Sequence, residues 1–460
     1  MVAMGQENTN RENEPLRHEQ QLFPEQSGPS IPDGGYGWVI TACVGMTNGH
    51  SWGINSAYSV FLAHYLSNDV FEGATPMQYA LVGTLGVGCT LAVAPIATVA
   101  VRRFGTRPTM LCGTIFQSVS LACSSLTTSI WQLFLTQGVL FGLGMGLIYI
   151  PASGIIPQWF DKHRSLASGY TIAGAGLGGL VYSLASGAMI ENLSVEWAFR
   201  ILSIVSLVVN TTCVLLIRTR YDEVGSRQLA FDMALLKRVE YLLVLGFGSF
   251  SMLGYFVLIF TLANYAKTMG FNPSQASLIP ALLMLGQAIG RPIIGWFSDR
   301  CGAINIVAMC TLATGVLSLT VWVNAKLYGV LIFFALVEGL VAGSFWVGIA
   351  PVLAEVVGLE NLPAGLSLLW VSVVPATVAS EPIALEIVDR TGSYIGAQLF
   401  TGFSFIVAGL CLGLLRGWII GGMAAKSDGD SGGAERTITR STLPTRYAMF
   451  IRHCFTWKNL

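Results

Sequence analysis

Long apolar stretches separated by short polar breaks recur along most of this chain. A helix needs about 20 apolar residues to cross a bilayer core of roughly 30 Å, and most of the stretches have that length. Of the 460 residues, 53% are hydrophobic and 11% are charged, whereas a soluble domain has roughly 25% charged residues. Lipid must therefore surround most of the chain. Because backbone polar groups inside lipid need internal partners, the sequence predicts an all-α membrane protein.

About twelve of the stretches are long and apolar enough to span a membrane as helices. They lie near residues 37–65, 76–100, 109–128, 131–152, 165–189, 197–217, 241–266, 274–297, 304–323, 327–352, 363–387 and 394–417.

The distribution of Lys and Arg predicts the orientation of these helices. Basic residues concentrate in the breaks after the second, fourth, sixth and eighth stretches. The positive-inside rule places those breaks, and with them both termini, in the cytoplasm. The sixth break is the longest and most charged, and it divides the stretches into two groups of six.

We therefore expect a multi-pass protein of the plasma membrane with five regions. They are a disordered cytoplasmic tail at residues 1–36, a six-helix bundle at 37–217, a cytoplasmic loop at 218–240, a second six-helix bundle at 241–417 and a cytoplasmic tail at 418–460.

Signals for an enzyme or a nucleic-acid-binding protein are missing from the sequence. The nine cysteines form no CxxC pair and no Cys/His cluster with metal spacing. The formal net charge is +0 and no basic domain occurs, so nucleic acid is not an expected partner. GAGLGG at 174–179 has the letters of a dinucleotide motif but lies inside an apolar stretch, where close helix packing explains it. We expect no enzyme activity, no cofactor and no metal, and we leave an accessory membrane protein open.

Two breaks in equivalent positions of the two halves echo each other. RRFGTRP at 102–108 follows the second stretch and GWFSDRCGAI at 295–304 follows the eighth. Two six-helix halves joined by a cytoplasmic loop resemble a major facilitator transporter, whose halves rock about a central site. The second break fits that superfamily's G-x-x-x-D-R-x-G signature, whereas the first has Arg102 in place of the Asp. The resemblance implies gating by Asp299, Arg300 and Arg103, and positive-inside anchoring is the alternative.

Four further motifs resemble the monocarboxylate transporter family, and features that include NGHSWGINSAYSVFLAHYL at 48–66 resemble its fungal members. The four motifs are DGGYGW at 33–38, PQWFDKHRSLASGYTIAGAGLGG at 157–179, GRP at 290–292 and DRTGSY at 389–394. The resemblance covers residues 32–417 and implies transport of a small organic anion by alternating access.

The first of these motifs also has a physical explanation. Asp33 at a helix start can accept hydrogen bonds from free amide groups of the first turn. The glycines of the motif allow close approach of neighbouring helices, and Tyr36 and Trp38 are suited to the membrane interface.

Arg291 is the sharpest candidate for a substrate-binding residue. It lies about two helical turns inside the eighth stretch, and a guanidinium can hold a carboxylate through two hydrogen bonds. Polar groups deep in a membrane are costly and mark functional sites. The resemblance implies the same role, because Arg291 and Pro292 fall where the family has its substrate-associated arginine. The alternatives are an ion pair with Glu338 or Glu381 and snorkelling of the side chain toward water.

The sequence departs from proton-coupled family members at two positions. Gln287 stands where they have Asp, and Ser56 falls where they have Lys, so proton symport by the usual route is in doubt. His50 can exchange protons near neutral pH, and a buried Glu338 can carry one, which makes both proton-coupling candidates. Packing is the alternative for His50.

Other polar and aromatic residues within the stretches are candidates to line a cavity. Gln287, Asn48, Asn55 and Tyr58 are substrate-binding candidates, with interhelical hydrogen bonding as the alternative role. If several aromatic residues face the cavity, a flat or bulky anion fits better than lactate. These residues include Trp52, Tyr149, Tyr255, Phe256, Phe345, Trp346 and Trp370.

The favoured function is secondary active or facilitative transport of a monocarboxylate-like anion, with protons as a further partner. The first alternative is efflux of a larger fungal secondary metabolite, and the second is a non-transporting membrane sensor. Asn192 begins an N-x-S sequon and is a candidate glycosylation site.

Overall fold

The computed structural model describes residues 31–68, 70–71, 73–221, 223 and 229–430. Within these ranges the chain is helical and contains no strand. The helical segments form twelve rods in the described ranges, α1–α12. The first six are α1 (Tyr36–Gly49, Trp52–Ser56 and Tyr58–Asn68), α2 (Pro76–Ala92 and Ala94–Phe104), α3 (Thr106–Ser124), α4 (Ile130–Leu133, the π-helical Phe134–Leu140 and Phe141–Ser153), α5 (Arg164–Asn192) and α6 (Val195–Leu216).

The second six rods follow a connection that contains the short 3₁₀ helix Leu235–Lys237. They are α7 (Val239–Thr268), α8 (Pro273–Cys301), α9 (Ala303–Leu317 with the π-helical Ser318–Trp322), α10 (Tyr328–Ala342 with the first part of Ser344–Thr391), α11 (the remainder of Ser344–Thr391) and α12 (Ile395–Asp430).

Gly358 separates α10 from α11. The helical stretch Ser344–Thr391 has 48 residues and would be roughly 70 Å long if straight, more than twice a bilayer core. Gly358 has φ 79° and ψ 161°, a conformation that glycine adopts without steric cost, and the chain turns back there. The two stretches expected at 327–352 and 363–387 are therefore separate rods.

Eight helical stretches in the described ranges have the length and hydropathy of membrane spans, and nine do if the bent pair of α2 is included. The stretch Tyr328–Thr391 counts once in that number although it contains both α10 and α11. α1 is interrupted near His50 and again at Ala57, so no single one of its segments is long enough. The predicted all-α class is confirmed. The rods follow the expected windows within a few residues, except that α12 continues to Asp430.

The expected tails lie mostly outside the described residues, and the five predicted region boundaries stay predictions. Residues 1–30 and 431–460 are not described, nor are parts of the central connection.

α2 and α8 begin with the same capping device. Thr75 and Asn272 each accept a hydrogen bond from the backbone of a glutamine three residues later, Gln78 and Gln275. The Oε1 atom of each glutamine in turn accepts a hydrogen bond from the backbone N–H of its cap residue, at 2.8 Å and 3.1 Å respectively. Proline occupies the first helical position in both, where no N–H is required. The internal repeat therefore extends to the helix starts.

Glycines bring α5 into backbone contact with α1. A Cβ on Gly174 would overlap the carbonyl oxygen of Gly45, and a Cβ on Gly178 would overlap that of Gly49. Small residues at such spacing let helices approach closely inside a membrane. The GAGLGG segment is therefore a packing surface, as expected from its place in an apolar stretch.

Substituting Gly174 by alanine is expected to destabilise the protein by about 1–3 kcal/mol, because the methyl group would force α1 and α5 apart. Gly187→Ala on the same helix is the matched control. The nearest neighbour of its added Cβ is Val60 at 3.9 Å, and alanine favours helix by up to about 1 kcal/mol over glycine. Thermal unfolding in detergent should show a lower Tm for Gly174→Ala alone. A Tm shift of equal sign in both variants would contradict the packing assignment.

Candidate functional site

Arg291 on α8 is buried, with 5% of its surface exposed, at the contact between the two halves. Its Nη1 donates to the carbonyl oxygen of Ile172 on α5 at 2.8 Å. Its Nη2 donates to the hydroxyl of Tyr255 on α7 at 3.3 Å and to Oε1 of Gln287 at 2.5 Å. Nε is buried and has no hydrogen-bond partner. The guanidinium thus joins one rod of the first half to two rods of the second.

All of these partners are uncharged. Among the described residues no Asp or Glu lies within ion-pair distance of Arg291, so neither Glu338 nor Glu381 forms the alternative ion pair. A buried charge normally requires a counter-charge, because desolvation is not offset by neutral partners alone. An anionic ligand would supply that counter-charge.

Gln287 lies one helical turn before Arg291 and is fully buried. Its Oε1 accepts hydrogen bonds from Arg291 and from the Tyr255 hydroxyl, the latter at 2.9 Å. Its Nε2 has no hydrogen-bond partner. The structure therefore brings two of the expected binding residues, Arg291 and Gln287, together, and adds Tyr255.

Five aromatic side chains from both halves, Tyr255 among them, lie together next to Arg291. Trp52 on α1 lies 5.1 Å from Trp346 on α10 and 5.4 Å from Tyr149 on α4, measured between ring centroids. Trp370 on α11 stacks on Trp346 at 5.9 Å, and Tyr255 lies 6.0 Å from Trp346. We call Trp52, Tyr149, Tyr255, Trp346 and Trp370 the central aromatic cluster. The sequence contained these residues but did not show that they converge.

Asn48 and Tyr58 have partners on neighbouring helices. Asn48 Nδ2 donates to the carbonyl oxygen of Thr171 on α5 at 2.9 Å. The Tyr58 hydroxyl donates to the carbonyl oxygen of Tyr79 on α2 at 2.7 Å. Asn55 is half-buried and faces α2 beside Gly86. Asn48 and Tyr58 thus make the interhelical bonds that were their alternative role, and the described residues show no bond from any of the three to Arg291.

The two proton-coupling candidates lie in different places. His50 sits at the first break in α1, where its Nδ1 lies 2.8 Å from the carbonyl oxygen of Met46 and its ring lies 5.5 Å from that of Tyr182. Glu338 on α10 is fully buried. One of its oxygens accepts a 3.0 Å bond from Ser318, in the π-helical part of α9, and the other has no partner. Neither side chain bonds to Arg291 in the described part of the chain.

Asp299 connects the halves where α8 ends and α5 begins. Its two carboxylate oxygens accept bonds from the backbone N–H groups of Ser165 and Leu166, at 2.7 Å and 2.8 Å. A carboxylate at the amino end of a helix also interacts favourably with the helix dipole. Gly295 makes the contact close, because a Cβ there would overlap the carbonyl oxygen of Ser165. We call Asp299, Gly295, Ser165 and Leu166 the α5–α8 latch.

Arg300 and Arg103, the other expected gating residues, do not bridge the halves. The guanidinium of Arg300 lies 3.8 Å from the ring centroid of Trp296, and that of Arg103 lies 5.5 Å from the ring centroid of Phe104. Each arginine therefore stacks on its own helix, and both are exposed. The α5–α8 latch therefore depends on the carboxylate of Asp299, the acidic residue of the G-x-x-x-D-R-x-G signature.

The expectation that Asp33 caps α1 is wrong. α1 begins at Tyr36, its cap residue is Gly35, and no side chain bonds to its first turn. Gly35 has φ 59°, and the turn directs Asp33 towards the connection before α5. There one carboxylate oxygen accepts bonds from the N–H groups of Asp161, Lys162 and His163, at 3.0–3.2 Å.

Both aromatic residues of the first motif contact protein. The Tyr36 hydroxyl donates to the carbonyl oxygen of Leu216 at 2.7 Å, and Trp38 packs against Phe160 at 4.9 Å. Trp38 keeps 39% of its surface exposed, which fits an additional role at the membrane interface. The two motifs at 33–38 and 157–179 therefore fold against each other, a relation that their separate positions in the sequence did not reveal.

Asn192 is the last residue of α5 and is exposed, and its amide donates to the carbonyl oxygen of Ala188 at 2.8 Å. Its glycosylation stays a prediction. Within the described ranges no group of three or more His, Cys, Asp or Glu side chains could hold a metal ion.

Two six-rod halves with a buried cation between them and a latch at one end are the arrangement expected of a major facilitator transporter. The model of the Major Facilitator Superfamily matches residues 38–246 and 242–442, and the chain belongs to this superfamily. It is therefore a multi-pass integral membrane transporter, and its family and relatives are transporters rather than enzymes.

Two relatives and one solved structure illustrate the relationship. The probable transporter MCH2 of Saccharomyces cerevisiae is 34% identical over 398 residues, covering 85% of this chain and 84% of MCH2. Monocarboxylate transporter 4 of Gallus gallus is 26% identical over 408 residues, covering 84% of each chain, which supports the resemblance to that family. The fold matches the Escherichia coli fucose:proton symporter FucP with a TM-score of 0.65 at 14% identity, covering 83% of this chain and 99% of FucP.

Proposed function

We propose that this protein transports a carboxylate-bearing organic anion across the plasma membrane, and that Arg291 binds the carboxylate. The observation that carries the proposal is the buried guanidinium surrounded by neutral partners, with a free Nε. Guanidinium groups match carboxylates in geometry as well as charge. The relationship to a monocarboxylate transporter supports the same substrate class.

Arg291 also connects substrate binding to the movement of the halves. Its bond to Ile172 crosses from α8 to α5, as do the bonds of the latch. A substrate carboxylate would compete with the Ile172 carbonyl for the guanidinium. Binding would thus weaken one of the bonds that hold the halves together on the latch side, which in our proposal is the cytoplasmic side. Alternating access then requires the latch to open and reform in each cycle.

Gln287 gives this site a fixed charge. A glutamine does not titrate, so the pair of Gln287 and Arg291 keeps one positive charge at every physiological pH. The pair therefore contains no proton site, and His50 and Glu338 remain the candidates if transport is coupled to protons. Uptake into proteoliposomes with and without a pH gradient measures that coupling, and loading the lumen measures efflux.

Replacing Arg291 by alanine is expected to reduce carboxylate transport at least 30-fold, since losing a buried charge-assisted bond costs about 2–5 kcal/mol. Arg291→Lys keeps the charge but loses the two-point geometry, and it should be impaired too. The assay is uptake of radiolabelled carboxylates into proteoliposomes that hold equal amounts of folded protein. Arg390→Ala is the control, because Arg390 is exposed and Glu386 is its one ion-pair partner among the described residues. Normal transport by Arg291→Ala would refute the assignment.

Gln287→Glu tests the fixed charge. The new carboxylate would pair with Arg291 and exclude the substrate while ionised, and protonation would release the guanidinium. We therefore expect the KM of this variant to be raised at neutral pH and to fall towards the wild-type value as the pH is lowered. The KM ratio of variant to wild type, measured across the same pH range, isolates the effect. A ratio that does not change with pH would contradict the direct contact.

Asp299→Ala should open the latch side of the protein. The N–H groups of Ser165 and Leu166 would lose their acceptors, and the halves would separate more often. A cysteine placed at Ala288, which packs against Gly176 on α5, reports this opening through its rate of reaction with a maleimide in a cysteine-depleted background. We expect labelling to be at least about tenfold faster in Asp299→Ala than in the parent, because losing a charged hydrogen bond costs about 1.5–3 kcal/mol. Arg300→Ala, the exposed neighbour, should label at the parental rate, and equal acceleration by both variants would speak against the latch.

A further inference from the structure

We infer that the preferred substrates are aromatic carboxylates, with the ring held by the central aromatic cluster and the carboxylate by Arg291. This inference rests on the proposed function and adds the substrate class. The hydroxyl of Tyr255 bonds to Arg291, and its ring lies 6.0 Å from that of Trp346. The anion-binding and ring-binding parts of the site are therefore one continuous surface.

The aromatic rings belong to both halves of the protein. Trp52 and Tyr149 lie on α1 and α4, whereas Trp346 and Trp370 lie on α10 and α11. Trp52 is half-buried, whereas Tyr149, Trp346 and Trp370 are buried. Trp52 and Trp346 are in direct contact in this state, so a planar ring would have to part them to enter. It would then stack on groups from each half and lose one of those contacts when the halves separate. Aromatic pairs gain attraction beyond their buried area, so this arrangement favours a ring over an aliphatic group.

The same surface presents donors without acceptors. The indole Nε1 atoms of Trp52, Trp346 and Trp370 are buried and have no hydrogen-bond partner. Arg291 Nε and Gln287 Nε2 are also buried and without a hydrogen-bond partner. Buried donors are stabilised only when an acceptor reaches them. Five such donors around one cluster favour a ligand rich in oxygen, namely a carboxylate whose ring carries further hydroxyl or carbonyl groups.

A short aliphatic acid would use only part of this surface. Lactate can bind the guanidinium, but it has no face to stack on Trp52 or Trp346. With its carboxylate on Arg291, only its hydroxyl oxygen is left for three indoles. The central aromatic cluster would thus discriminate aromatic acids from short aliphatic acids, which Arg291 alone would not do.

The test compares matched pairs of substrates in proteoliposomes that contain the full chain. Phenyllactate and lactate differ by one phenyl ring, and benzoate and cyclohexanecarboxylate differ in aromaticity at similar size. We expect phenyllactate to compete with radiolabelled benzoate at least about tenfold better than lactate, from stacking together with ring burial. Benzoate should compete about two- to tenfold better than cyclohexanecarboxylate, from stacking alone. Equal competition within both pairs would overturn the inference.

Variants of the cluster assign the preference to specific rings. Trp346→Leu should reduce the preference for phenyllactate over lactate to about twofold or less, because the ring loses a stacking partner. Trp346→Phe keeps a ring and should retain most of the preference, and it also serves if the leucine variant does not fold. Trp131→Leu, at the exposed start of α4, is the control and should match wild type. An undiminished preference in both Trp346 variants would overturn the role of this cluster.

The outcome also separates this inference from the proposed function. Transport of lactate that depends on Arg291 without any preference for aromatic acids would refute the aromatic assignment and leave carboxylate transport standing. Undiminished competition by both the aromatic and the aliphatic acids in Arg291→Ala would refute the carboxylate assignment itself. Binding of benzoate to purified protein, measured by calorimetry, shows whether a variant that fails to transport still recognises the ring.

Discussion

The close backbone contacts of helix α5 organise this protein. On one side its glycines press against α1, where Gly174 meets Gly45 and Gly178 meets Gly49. On the other side it meets α8, where Gly169 lies against the backbone of Arg291. Lipid offers no hydrophobic drive for helices to associate, so close packing of small residues must supply much of the cohesion. One helix therefore connects a contact within its own half to the contact between the halves.

The position of Arg291 depends on that packing. Its bond to the Ile172 carbonyl requires α8 to lie directly beside α5, and any larger side chain at Gly169 would prevent it. The guanidinium is thereby held in a place where it has neutral hydrogen-bond partners and no counter-charge. Such an arrangement is unfavourable for stability in isolation, as expected of a group retained for binding. The proposed carboxylate site and the contact between the halves therefore share Arg291.

Much of the fold could be predicted from the sequence, because helix length and apolarity follow directly from bilayer thickness. Arg291 and Asp299 were also identified, since a charge within or at the end of an apolar stretch is conspicuous. The hydrogen-bond partners of Asp33 were not identified. A turn of two glycines separates Asp33 from the helix that follows, and the N–H groups it binds lie over 120 residues away in the sequence. The convergence of Trp52, Tyr149, Trp346 and Trp370 was not predictable either, because a helical period gives the face of a residue only relative to its own helix.

The two aspartates at the start of α5 have different consequences for movement. Asp33 belongs to the same half as α5, so its three bonds to residues 161–163 can persist through a rocking motion and keep the entry to the helix rigid. Asp299 belongs to the other half, so its bonds to Ser165 and Leu166 must break when the halves separate. The Asp33 carboxylate thus fixes the geometry of the amino end of α5, to which the Asp299 carboxylate binds reversibly. In the proposed cycle, the motif at 33–38 thus supports gating by presenting the amino end of α5 to the opposite half.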